Sequence, residues 1–103
     1  MKMFTANDAR NLQLEGDVNK RTDIIKKFRQ EIWDNNEVDN DRANILYDIV
    51  LVAQTQMTRT LMEYIPTNDE NIKLIQELKD AGYTIDIPDK LKKENGSIVL
   101  ITF

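Results

Sequence analysis

Apolar residues recur through the first third of the chain at alternating three- and four-residue steps, the spacing that lays one stripe along an α-helix. Phe4, Leu14, Val18, Ile25, Phe28 and Ile32 fall on the a and d positions of a single heptad frame, with Asn7, Asn11 and Arg21 in the same seam. The stripe opens with a helix start: Thr5 can cap, Asp8 can return the bond, and Phe4 can staple onto Ala9. Gly16 sits inside it, which leaves two readings. Either one continuous or kinked helix runs from about residue 6 to about residue 34, the form that the unbroken frame favours, or two helices meet near Gly16 and Asp17, with Asp17 capping the second. Both leave an apolar face that needs a partner helix.

A polar loop from Asp34 to Asp41 ends this region, and a second helix is expected to begin near Asp39 to Asp41. Ala43, Leu46, Val50, Ala53 and Met57 recur at helical spacing, widened by Ile45, Ile49 and Val52; their β-branched content also permits a strand. Residues 58–65 have strand character up to Pro66, with a helical continuation as the alternative. Thr67 or Asn68 then caps an amphipathic helix carrying Ile72, Ile75 and Leu78, which Gly82 stops. Residues 83–87 alternate as a strand up to Pro88, and Asn95-Gly96 turns the chain into Ser97–Phe103, a run apolar on both faces.

A strand apolar on both faces belongs in the middle of a small sheet, so residues 97–103 are placed between the strands at 58–65 and 83–87. The expected architecture is α+β and a single domain over residues 1–103. An N-terminal helical hairpin (5–57) is followed by a small three-stranded mixed sheet with one helix, a split β-α-β unit (58–103).

Composition narrows the chemistry. The chain has 103 residues with no His and no Cys, and Ser97 is its only serine. An imidazole base, a thiolate nucleophile, a zinc site and a disulfide framework are therefore excluded, and catalysis would rest on carboxylates, Tyr, Thr or Lys. No Gly-rich phosphate loop or nucleophile elbow is present, so the expectation is a protein that is not an enzyme and uses no cofactor. The longest apolar run, Ile49 to Ala53, is far short of a membrane span, and the chain opens without a secretory pattern; a cytoplasmic location is expected.

Charge is local. Residues 1–36 carry +1, residues 37–70 carry −5 and residues 71–103 carry none, which sums to the net −4. The densest acids, Glu37, Asp39 and Asp41, invite comparison with a calcium loop. Counted from Asp39, however, the sixth and twelfth positions hold Asn44 and Val50, where that loop needs Gly and Glu. Solvation of the loop and capping of the next helix account for these acids, with weak cation binding or contact with a basic partner as the alternative.

The Thr-Ala-x-x-Ala-Arg-x-Leu helix start at Thr5 to Leu12, together with Ile72-x-x-Ile75-x-x-Leu78-x-x-Ala81-Gly82-Tyr83 and the closing run Ser97 to Phe103, resembles small uncharacterised bacteriophage-encoded proteins. The resemblance covers about half the chain and implies an accessory protein that acts on a host or its defences by binding, often as an oligomer, in the host cytoplasm. Ten Asn, twelve Ile and nine Lys, residues with AT-rich codons, agree with such an origin.

Three sets of residues are candidates for that binding. Leu14, Val18, Ile25, Phe28, Ile32 and Trp33 form the expected homo-oligomer interface along the first helical stripe. Arg42 and Arg59 with Tyr47, Tyr64 and Tyr83 could hold a phosphate-bearing ligand, because guanidinium forks onto oxygens while a ring stacks on a base. Lys20, Arg21, Lys26, Lys27 and Arg29 make a basic patch, although a sequence pI near 4.8 argues against nucleic acid as a partner. The expected partner is a host protein, with a signalling nucleotide captured by an oligomer, or a place in virion assembly, as alternatives.

Overall fold

The Thr5–Asp8 capping box closes as the sequence demands. Thr5 Oγ1 accepts from the Asp8 amide and Asp8 Oδ2 accepts from the Thr5 amide, each at 3.0 Å. This box opens α1 (Ala6–Leu14) in the computed structural model, which describes residues 3–36 and 40–103. The helix then stops: Glu15 turns to extended backbone, and Asp17 accepts from the amides of Asn19 (2.9 Å) and Lys20 (3.0 Å) to start α2 (Val18–Asn35). The continuous helix favoured by the heptad frame is thus corrected to two helices. Cap chemistry at Thr5 and Asp17 marks the boundaries, because the Asp17 carboxylate satisfies two amides that the start of a new helix leaves free.

Asn40 caps α3 (Asp41–Thr55) through the Ala43 amide at 2.7 Å; Glu37 and Asp39 lie outside the described residues. Gln56 ends α3 in the left-handed conformation at φ 60°, and its Nε2 donates to the Gln13 carbonyl at 2.7 Å, tying this turn back to the end of α1. The expected helical hairpin over 5–57 is therefore a three-helix layer. Next come β1 (Thr60–Pro66), α4 (Asp69–Asp80, capped by Asn68), β2 (Thr84–Asp86), a short 3-10 turn at Asp89–Leu91 and β3 (Gly96–Thr102).

The strand order is β1-β3-β2, with the two-sided apolar strand in the centre. Both neighbouring pairs are antiparallel, while β1 and β2 run parallel to each other without touching, as the split β-α-β unit expects; the sheet is therefore antiparallel rather than mixed. Helix α3 packs on β1 and α4 on β2, while α1 and α2 pack on α3. The sheet is covered on one face only. Leu61, Ile65, Val99, Ile101 and Phe103 turn to the helices and are buried with Leu46, Ile49, Leu74 and Leu78. Burying each such side chain contributes about 1.5–3 kcal/mol.

The first described residues seal the other end of the core. Phe4 meets Phe28 edge-on with centroids 4.5 Å apart, its carbonyl accepts from the Tyr83 hydroxyl at 2.6 Å, and the Ala6 amide donates to the Ala81 carbonyl at 3.0 Å. Burial pushes the Tyr83 hydroxyl above the ordinary tyrosine pKa; the Asp8 charge adds to this and Arg10 opposes it. Among the described residues no helix is long and apolar enough to cross a membrane.

Candidate functional site

The structure brings together one residue or more from each of the three candidate sets. Lys26, Arg29, Gln30 and Trp33 recur at three and four residues on α2, so they share one side of that helix and line a shallow depression. From α3, Tyr47 joins them: its ring lies 5.1 Å from the Arg29 guanidinium and 6.1 Å from the Trp33 ring, tilted at 46°. A guanidinium held against an aromatic face is both positioned and still able to donate. Lys26 and Arg29 enter no ion pair among the described residues. The depression therefore offers two cations and the Trp33 ring, with the Tyr47 ring beside it holding Arg29.

The remaining members of the ligand set are scattered. Arg42 pairs with Glu77 on α4 at 2.5 Å, and Arg59 Nε donates to Gln13 Oε1 at 2.7 Å. Tyr83 is committed to Phe4 inside the core, and Tyr64 lies on the sheet face away from the helices. The pocket expected from Arg42, Arg59, Tyr47, Tyr64 and Tyr83 is therefore not assembled, because these residues reside on different layers.

The basic patch also divides. Arg21 turns inward, its Nη2 donating to the Gln54 carbonyl and its Nε buried with no partner among the described residues. Lys27 sits 5.8 Å over the Phe28 ring, and Lys20 stands exposed in the first turn of α2.

The expected oligomer stripe is corrected more deeply. Phe28 and Ile32 are only 7% and 2% exposed and belong to the chain's own core, against which Ile25 also packs. Leu14 and Val18, at 71% and 72%, stand in the open on either side of the break between α1 and α2. Folding α2 back onto α3 satisfies most of the stripe within one chain, so it offers no continuous seam to another.

Three features escaped the sequence. Gln13, buried at the end of α1, donates to the Thr58 carbonyl at 2.8 Å as well as accepting from Arg59, and so links α1 to the entry of β1. Glu63 on β1 turns toward Asp48 on α3; burial first, and then hydrogen bonding and repulsion from Asp48, raise its pKa to about 8. The third is the open sheet face, where Met62 and Tyr64 are 66% and 52% exposed beside Leu100 and Ile98. Alternation along residues 60–66 was the available signal for this face; the pairing with residues 96–102 was needed to see its width.

Comparison with protein-family models, with curated proteins and with solved structures gives no match for this chain.

Proposed function

We propose that the chain works by binding, as a small oligomeric accessory protein of a bacteriophage that occludes or sequesters a host component. The observation that carries this reading is the uncovered sheet face. Met62, Tyr64, Ile98 and Leu100 pack side by side there on rigid strands, and no helix lies over them among the described residues. Exposed apolar groups held on a rigid element, with Thr60, Thr84, Thr102 and Asp86 at the margins of the same face, match the anatomy of a protein-binding surface.

Affinity capture from host lysate tests it, with wild type compared against Leu100→Lys, which charges the centre of the face. Wild type is expected to retain a partner that the variant loses. Equal capture by both chains, or none by either, rejects the reading.

A second reading, capture of a signalling nucleotide, is favoured by the Lys26, Arg29, Trp33 and Tyr47 cluster, which supplies phosphate-binding cations beside stacking rings. Thermal shift against cyclic and adenine nucleotides tests it. Flat melting curves across the panel would remove it.

A further inference from the structure

The free edge of β1 has a specific pattern of satisfied and unsatisfied backbone groups. The Phe103 amide donates to the Arg59 carbonyl and the Thr67 amide to the Asn95 carbonyl, each at 2.9 Å. Alternation in an antiparallel ladder then directs the amides and carbonyls of Leu61, Glu63 and Ile65 toward β3, and those of Thr60, Met62, Tyr64 and Pro66 away from it. The two ends of that outer edge are already closed. Thr58 Oγ1 bonds both the Thr60 amide (3.2 Å) and its carbonyl (3.3 Å), and the Pro66 carbonyl accepts from Asn71 Nδ2 at 2.9 Å while Pro66 has no amide to offer. What is left open among the described residues is two amides and two carbonyls, those of Met62 and Tyr64, symmetric about Glu63.

From this pattern we infer that β1 is the homodimer interface, pairing antiparallel with β1 of a second copy about a two-fold axis at Glu63. In that register Met62 and the second copy's Tyr64 form a hydrogen-bonded pair, as do Tyr64 and the second copy's Met62, so the four open groups of each chain are all used. No longer ladder fits, because the groups beyond are occupied. The same register sets Met62 beside a tyrosine ring on the outer face and Leu61 opposite Ile65 on the inner one, both favourable cross-strand pairs. On α3, Leu51 stands exposed one turn beyond Asp48, the residue that faces Glu63.

A generic extended peptide would need only a free edge; the symmetry of the opening about one residue is what a second copy requires. A short chain that hides only about 60–65% of its surface on folding also gains most from such an association. The inference rests on the proposed function only in taking the chain to self-associate, and it moves the contact from the helical stripe to the sheet. It would join two open sheet faces into one six-stranded surface.

Glu63 is the sole charged residue of β1, and two copies of it meet at the axis. Asp48 faces it from α3, and Val99, its neighbour on β3, is not ionisable. Its carboxyl keeps the proton up to about pH 8, so near pH 7 the pair meets uncharged. Above that it meets as two carboxylates beside two Asp48 side chains, and because both carboxyls must regain a proton the dimer is expected to weaken about a hundredfold by one pH unit beyond the titration.

The test uses the full chain, which contains no cysteine. Glu63→Cys places two thiols on a pair with Cα atoms about 4.5 Å apart, within disulfide reach. Mild oxidation is expected to give a covalent dimer far faster than for Lys79→Cys, an exposed control on α4. Light scattering of the purified wild type is expected to show twice the single-chain mass near neutral pH, falling toward one chain above the titration. Met62→Lys, a charge on an exposed edge position that carries little folding cost, is expected to be monomeric. A wild type that stays at single-chain mass overturns the proposal. So does a dimer in which Glu63→Cys links no faster than the control, or which Met62→Lys leaves intact. Because these readouts need no host component, failed capture from lysate and a failed dimer are separate results.

Discussion

Tyr64 lies across Gly96 so closely that a Cβ on the glycine would stand 2.5 Å from the tyrosine hydroxyl. The ring occupies the volume a side chain would take at the start of β3, and the Ile65 carbonyl closes the space from behind at 2.9 Å. Gly96→Ala is therefore expected to cost about 1–3 kcal/mol in urea unfolding, from overpacking. In a Tyr64→Ala background the same change should cost less, because only the carbonyl contact remains. Equal costs in both backgrounds would deny the contact its role.

The buried hydrogen bond from Tyr83 to the Phe4 carbonyl supports a second expectation. Tyr83→Phe keeps the ring and removes the donor, leaving a buried carbonyl without its partner. A loss of about 1–3 kcal/mol is expected in denaturant melts. A neutral result would mean that water replaces the hydroxyl.

Gln13 both donates to Thr58 and accepts from Arg59, so Gln13→Leu strands a carbonyl and a guanidinium at once. A destabilisation of about 1–3 kcal/mol is expected. Amide exchange should accelerate first where β1 begins, rather than across α4.

Glu63 predicts a pH dependence with a definite sign. Its pKa rises from 4.5 to about 8 on folding, so between those values the native chain holds a proton that the unfolded chain has lost. That contribution to stability is complete below the unfolded pKa and is lost as pH rises through the folded one. Glu63→Gln cannot titrate. Paired thermal melts should show its advantage over wild type growing from about pH 4.5 to about pH 8 and levelling above.

The C-terminal half was legible because its punctuation is local. Pro66, Asn68 and Gly82 bound a strand and a helix with chemistry that acts within a few residues, and the two-sided run at 97–103 could only be central. The N-terminal half misled for a physical reason. A heptad frame counts residues, and the extended backbone at Glu15 leaves the count intact while ending the helix, so Leu14 and Val18 keep their frame positions yet stand in solvent. The signal for the break is Asp17, whose carboxylate can cap a second helix even though the stripe runs on past it. Tyr47 against Arg29 and Trp33 was beyond reach, because only the packing of α2 on α3 brings residues on separate helices into contact. The open backbone groups of Met62 and Tyr64 depend on strand register, which no residue pattern states.

The bond between Phe4 and Tyr83 spans 79 residues of chain, and with the Ala6 to Ala81 bond it buckles the helical layer to the strand-and-helix unit. Closing so long a loop costs only slightly more entropy than closing one of half the length, so the buckle is inexpensive to fasten. Its release would bare Phe28 and the end of α4 together. The two halves are therefore expected to melt in one cooperative transition, with neither persisting once the other is lost.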